Sequence, residues 1–480
     1  MNSSVSIPLW LFVLLLVLAV AAALQWLLLP GVRWVVRRRV RAVLDEIQLR
    51  LKIDLPQFKL TRRRALIDRL MSDPRVLAAA QQHALESGKP AVELERQVLG
   101  YAREIVPAFN AYVYFRVGYW LAKTFAQLVY RVRLGYTDDA AIAAINPKST
   151  VVFVMNHRSN MDYILVSFLA AERVALSYAV GEWARIWPLQ GLIRAMGAYF
   201  VRRNSGDPLY RMVLQRYVQM ATEGGVPQAM YPEGGLSIDG RLREPRLGLL
   251  DYMLKGFNPE GERDLVFIPV GINYDRVIED RSLLRKLDEA PPRGSLWRTL
   301  RITGAYLGRQ FVFTLLGRRY RFGYACVNFG RPLSMRDWVR EHAVDFRDLT
   351  DAQRREAVAE VGRSLMATIG RTVPVLPVPL VSRVLLADLR RAWSELELKA
   401  AVHALMDRAE ARGAHVYVPR SDRDYAIAVG LRMLTLRHLA LEDDGLVRAN
   451  PAEARVLAYY ANSIAHLFDA PNETGPEGPV

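Results

Sequence analysis

The chain has 480 residues, 51% of them hydrophobic and 24% charged, which suffices for a sizeable core and two or three structural units. A formal net charge of +16 draws phosphates, whether of nucleic acid, anionic lipid headgroups or phosphorylated substrates. The single cysteine, Cys326, excludes an intramolecular disulfide and a thiolate metal cluster, and its strand-like surroundings read as those of an inert buried thiol.

Residues 7–29 form an apolar stretch interrupted only by Gln25, long enough to span a bilayer as a helix. Arg33, Arg37, Arg38, Arg39 and Arg41 follow at once. The positive-inside rule then keeps the bulk of the chain in the cytoplasm, behind a single-pass N-terminal anchor. A secretory signal would need positive charge in residues 1–6, which have none, so an uncleaved anchor is expected despite the run Ala21, Ala22, Ala23.

Residues 33–100 read as helical and polar-rich, with a break near Asp73 and Pro74. Residues 105–133 are dense in aromatics, with Arg116, Lys123, Arg131 and Arg133 interleaved. That pattern suits a helix at a membrane interface, or equally a core helix with snorkelling arginines. From 150 to about 335, short apolar strands alternate with helical stretches. Strands are expected at 150–155, 175–180, 198–201, 228–231, 265–270 and 321–329, which argues an α/β domain with helices over a largely parallel or mixed sheet. Residues 350–470 read as mostly helical, with a Pro-punctuated connector at 372–379, and the tail from 470 as disordered. The expected units are 1–32 (anchor), 33–140 (helical, with a candidate interfacial helix), 141–345 (catalytic domain), 346–470 (helical) and 471–480 (tail).

Four segments carry candidate chemistry. The first, residues 156–163, follows the apolar strand and holds His157 and Asp162. An aspartate can accept the proton on one ring nitrogen, fixing the tautomer and leaving the other nitrogen free to deprotonate a hydroxyl. The second ends a strand in Arg202 and Arg203, planar forks suited to phosphate oxygens. The third is Glu233, Gly234, Gly235, Leu236, Ser237, with Arg241, Arg243 and Arg246 just downstream; glycines after a carboxylate let backbone approach a ligand closely. The fourth, residues 267–275, reads as a buried strand ending in a kink at Pro269 and lining a pocket. Each has an ordinary reading as a surface turn, a solvated edge or a charged β-turn.

In this order the four segments resemble the motif blocks of the glycerolipid acyltransferase family, with the HX4D pair in the first. Residues 156–163 look most like the membrane-bound bacterial glycerol-3-phosphate and dihydroxyacetone-phosphate acyltransferases, and 457–467 resemble the C-terminal region of the glycerol-3-phosphate branch. The resemblance implies a mixed sheet flanked by helices. It implies His157 as general base, Asp162 as its partner, Arg202 and Arg203 near the acceptor phosphate, and Glu233, Gly234 and Gly235 positioning the acceptor. Arg158, Ser237, Arg241 and Arg246 complete the expected substrate-binding set. Many relatives carry arginines where this chain has Leu236 and Ile238, which puts the acceptor in doubt more than the reaction.

The expected reaction is direct acyl transfer from a thioester, acyl-CoA or acyl-carrier protein, to the sn-1 hydroxyl of glycerol-3-phosphate, giving lysophosphatidic acid for phospholipid biosynthesis. No cofactor and no metal are expected, since His157 and Asp162 lack further ligands at recognisable spacing. Membrane lipids are expected partners. Nucleic acid is not, because no binding module is recognisable. The rival readings are a lysophospholipid acceptor (1-acylglycerol-3-phosphate or a lyso-aminolipid) and a non-catalytic membrane-tethered lipid-binding protein.

Overall fold

The computed structural model describes residues 56–170, 175–181, 189–202, 205–288 and 322–469. The expected anchor at 7–29, the arginine run at 33–41, Arg203 and the tail from 470 lie outside the described residues. Among the described residues no helix is long and apolar enough to cross a membrane.

The centre is an eight-stranded sheet: β1 (Arg131–Thr137), β2 (Thr150–Met155), β3 (Ser177–Val180), β4 (Tyr199–Phe200), β5 (Gln228–Met230), β6 (Leu265–Tyr274), β7 (Tyr324–Phe329) and β8 (Leu333–Ser334). Its order is β1-β7-β6-β2-β5-β3-β4, with β8 beside β6. β2 pairs in parallel with both β5 and β6, and β3 with both β4 and β5. β7 and β8 run antiparallel to β6, so the sheet is mixed.

β2 occupies 150–155 as expected, because an apolar strand buried on both faces shows as a continuous run. Its side chains alternate between two cores. Phe153 and Met155 join Leu165, Ile268 and Val270 on one face. Val152 and Val154 join Leu265, Phe267 and the N-terminal helices on the other. Those helices, Arg63–Met71, Pro74–Ser87 and Ala91–Ile105, pack with Pro208–Glu223. The break near Asp73 is a helix start: Asp73 caps Pro74–Ser87 by accepting from the Arg75 N–H at 3.0 Å.

Four expectations need correction. Pro269 does not end its strand, since β6 runs on to Tyr274. The Pro269 carbonyl accepts from the Gly330 N–H, so the missing proline N–H would have pointed to that same edge, in the gap between β8 and β7. Residues 131–137 are a strand, β1, pairing in parallel with β7, rather than the end of a helix. Pro377, expected in a connector, begins the helix Pro377–Ala387, where a missing N–H costs nothing. The mostly helical C-terminal region also contains a three-stranded sheet, β9 (Ala392–Ser394), β10 (Ala440–Asp443) and β11 (Leu446–Ala449). Its hairpin turns on Asp444 and Gly445, both at positive φ.

Candidate active site

β2 delivers Asn156 and His157 to the C-terminal edge of the parallel strands, where ligands of α/β sheets ordinarily bind. The Asn156 amide continues the ladder in side-chain form. Its Nδ2 donates to the Ile272 carbonyl at 2.9 Å and its Oδ1 accepts from the Ile272 N–H at 2.8 Å. Residue 157 is thereby fixed relative to β6 as well as β2.

Asp162 sits buried in the first turn of the helix Met161–Ala170. Its Oδ2 accepts from the Arg158 N–H (2.7 Å) and the Ser159 N–H (3.0 Å) and lies 2.9 Å from His157 Nδ1. Its Oδ1 accepts from the Tyr274 hydroxyl at 2.5 Å. A carboxylate among such donors places the imidazole proton on Nδ1 and leaves Nε2 as the basic nitrogen. No described residue hydrogen-bonds Nε2. The ring is clamped by Tyr231, stacked at 3.9 Å between centroids, and by Tyr163, edge-on at 5.5 Å.

The third block wraps this pair from below. Glu233, buried, accepts from the His157 N–H at 2.8 Å through one oxygen and from the Arg243 N–H at 3.2 Å through the other. Burial pushes its carboxyl up to about 7. The Ser237 N–H donates to the His157 carbonyl at 2.8 Å. Gly234 has φ +66°, and a Cβ there would lie 2.4 Å from Arg246 Cδ. The following Gly235 is half-buried. The Ser237 hydroxyl is taken up by its own turn, donating to the Arg241 carbonyl (2.7 Å) and accepting from the Gly240 N–H (3.0 Å). Arg241 pairs with Asp469 at 3.2 Å, and Arg243 and Arg246 are exposed. Leu236 and Ile238 are half-buried and pack against the main hydrophobic cluster.

Arg158 is buried, its guanidinium bonded to the Gly240 carbonyl and lying 4.7 Å above the Tyr459 ring. Its Nε and remaining terminal nitrogen are buried without a partner among the described residues. Tyr459 belongs to the helix Ala454–Asn462, which lies directly on the third block: a Cβ on Gly240 would come within 2.0 Å of the Tyr459 carbonyl. Asn462 donates to the Asp239 carbonyl at 3.0 Å. The neighbouring Tyr460 and Arg437 both bond Asp280, each at 2.5 Å, just after β6.

The second block stands apart. Arg202 forms a two-pronged ion pair with Glu104, at 2.8 and 2.7 Å, and lies over the rings of Tyr101 and Tyr210. β4 is three strand positions from β2, or about 14 Å across the sheet. The structure thus brings together His157, Asp162, Arg158, Glu233, Gly234, Gly235 and Ser237. It gives Arg202 a protein carboxylate of its own.

Three contributors escaped the sequence. Tyr274 was read as pocket lining, yet it bonds Asp162. Glu279 holds the first block by accepting from the Ser159 hydroxyl (2.7 Å) and the Asn160 amide (3.0 Å). Tyr459 contacts Arg158 from 301 residues away, a separation no local pattern encodes. Among the described residues no three His, Cys, Asp or Glu cluster as a metal site.

Comparison with known proteins shows what the two parts of the chain are similar to. Residues 139–273, which carry all of the clustered motif residues, match the family model described as acyltransferase. Residues 312–471 match a second, the glycerol-3-phosphate acyltransferase C-terminal region, so the resemblance read from the motifs is shown on both halves of the chain. Among similar proteins, a glycerol-3-phosphate acyltransferase of Pseudomonas putida is 28% identical over 86% of this chain and 50% of its own length. One from Alteromonas mediterranea is 30% identical over 71% of this chain and 41% of its own, and one from Xylella fastidiosa 28% over 86% and 47%. The chain therefore spans about half the length of the curated relatives it matches. A crystal structure of a 1-acyl-sn-glycerophosphate (LPA) acyltransferase from Thermotoga maritima aligns at a TM-score of 0.29 and 16% identity, covering 53% of this chain and 78% of that one, too slight a likeness to assign residues by.

Proposed function

We propose that this chain transfers an acyl group from an acyl thioester, acyl-CoA or acyl-carrier protein, to the sn-1 hydroxyl of glycerol-3-phosphate. The observation that carries this reading is the His157–Asp162 pair, with Nδ1 engaged and Nε2 left without a described partner. Nε2 takes the hydroxyl proton as the alkoxide oxygen attacks the thioester carbonyl. The C–S bond then breaks, and the imidazolium returns the proton to the departing thiolate. No covalent acyl-enzyme is needed.

Asp162 holds the ring and balances its positive charge in the transition state. Glu233 works through the backbone, gripping the His157 and Arg243 amides so that the first and third blocks stay in register. The two unpartnered N–H groups of Arg158 suit the negative charge that develops on the tetrahedral oxygen or arrives with the acceptor. The product carries an acyl chain, so a site tethered at the bilayer by residues 7–29 would release it where it partitions.

The test offers one labelled acyl thioester to glycerol-3-phosphate and to 1-acylglycerol-3-phosphate, with His157→Ala as control. Transfer to glycerol-3-phosphate is expected, with kcat falling ~10^3-fold or more in the variant. A second reading, a lysophospholipid acceptor, is favoured by Leu236 and Ile238, which place apolar side chains where many relatives have phosphate-binding arginines. Acylation of the lysolipid alone would replace the first reading with the second.

A further inference from the structure

One histidine near the site has no part in the reaction as written. His466 lies in the short turn Ala465–Leu467, just after the helix Ala454–Asn462, and sends its Nε2–H to the Gly370 carbonyl at 2.9 Å. An imidazole that donates through Nε2 to a carbonyl carries its lone pair on Nδ1. That Nδ1 is buried and has no partner among the described residues. Burial holds the group below the ordinary range of an imidazole; the charge on Arg158 acts in the same direction, against the Gly370 carbonyl and Asp469. The ring is thus a neutral acceptor at neutral pH.

The same region holds the two free donors of Arg158. The guanidinium bonds the Gly240 carbonyl, and a Cβ on Gly240 would lie 3.2 Å from its Nη1. Two residues on, Leu242 meets His466 over Gly370: a Cβ on that glycine would lie 3.3 Å from Leu242 Cδ1 and 3.3 Å from His466 Cδ2. The segment 240–242 therefore has Arg158 at one end and His466 at the other. Arg158 is 3% exposed, and its Nε and Nη2 have no partner among the described residues. Two buried donors and one buried acceptor, all unmet, cost free energy unless a bound group satisfies them. The group they suit presents an anion to the guanidinium and a proton donor to the imidazole. A phosphate dianion satisfies the first and has no proton for the second. A hydroxyl beside a phosphate satisfies both.

We propose that His466 accepts a hydrogen bond from the sn-2 hydroxyl of glycerol-3-phosphate, the one that is not acylated, while Arg158 donates to the acceptor's phosphate. This assignment rests on the acyltransferase reading and names what selects the acceptor within it. 1-Acylglycerol-3-phosphate must offer its sn-2 hydroxyl to His157 and has only an ester oxygen at sn-1, so it leaves the Nδ1 lone pair unmet. An enclosed, polar spot also favours a small polyol phosphate over an acceptor that carries an acyl chain.

The test gives the full chain one labelled acyl-CoA and a choice of acceptors: glycerol-3-phosphate, 3-hydroxypropyl phosphate, which lacks the second hydroxyl, and dihydroxyacetone phosphate, which has a carbonyl in its place. The kcat/KM for glycerol-3-phosphate is expected to exceed that for either analogue by at least about tenfold. In His466→Phe this ratio should fall to near one. His466→Gln, whose amide oxygen still accepts, should retain part of it. A role for His466 in folding alone would lower all acceptors together and leave the ratio as in the native chain. Equal efficiencies in the native chain would overturn the assignment without any variant, and an unchanged ratio in His466→Phe would overturn it with one. Where glycerol-3-phosphate is acylated with no such preference, this assignment fails alone. Where 1-acylglycerol-3-phosphate is acylated in place of all of them, the reaction proposed above fails with it.

Discussion

At the scale of single residues, the site is organised by what surrounds Asp162. Four donors converge on one carboxylate, two of them backbone amides of the motif that carries His157. Asp162→Asn substitutes an NH2 for one acceptor oxygen, so it both disturbs the loop and stops enforcing the Nδ1-H tautomer. A fall in kcat on the order of 10^3 is expected, read by steady-state kinetics. Tyr274→Phe removes only one donor, a hydrogen bond to a charged group worth roughly 1.5–3 kcal/mol. A lower Tm and about tenfold lower kcat at constant KM should follow; an unchanged kcat would make the hydroxyl purely structural. Glu233 titrates unusually. Its carboxyl keeps its proton to about 7 in the folded protein, against an ordinary 4.5. The unfolded chain ionises first, so this group destabilises the fold as pH rises from about 4.5 to 7, by up to roughly 3 kcal/mol. Asp275, pushed by burial to about 6, acts in the same direction. Melting temperatures from pH 4 to 8 should therefore decline more steeply for the native chain than for Glu233→Gln.

At the scale of elements, what the sequence made legible follows from burial. β2 and the His157 motif were readable because a fully buried strand is an uninterrupted apolar run and its exit is abruptly polar. β1 was not, because it is an edge strand whose exposed Arg131, Arg133 and Leu134 hide the alternation. The strand expected at 265–270 falls short of Tyr274, since the rule that proline leaves a sheet depends on which edge its absent N–H would face. The β10–β11 hairpin had a signal, Asp444-Gly445, that went unread inside a helical stretch. β6 also shows how tightly its neighbours meet. A Cβ on Gly271 would lie 2.3 Å from the Thr372 carbonyl oxygen and 2.5 Å from the Val373 nitrogen, both backbone. Gly271→Ala should then cost ~1–3 kcal/mol, seen as a lower Tm, and reduce turnover by shifting β6 against Asn156.

For the whole molecule, the sequence boundary near 345 does not divide the structure into independent halves. One hydrophobic cluster contains Met155, Leu165 and Val270, before that boundary, together with Leu380, Leu457 and Tyr460, after it. The helix Asp351–Thr372 likewise packs on β6. A chain ending at residue 345 would expose that shared core and should be recovered unfolded or aggregated. A soluble product with a cooperative melting transition would contradict this. Gly240→Ala probes the same seam more gently. It drives a methyl into the Tyr459 carbonyl and should reduce kcat at least tenfold while far-UV circular dichroism stays native. The candidate site was half legible for the same reason: its motif residues are local in sequence, whereas Tyr274, Glu279 and Tyr459 reach it only through folding. Arg202 stood out in sequence and folds onto Glu104.

Leu236 and Ile238 bear on any redesign of the third block. Both side chains are half-buried and pack against the main hydrophobic cluster. A guanidinium at either position would have to carry its charge out of that apolar contact before it could meet a phosphate. A change there that adds a cation therefore also removes packing, and the two effects would have to be measured separately.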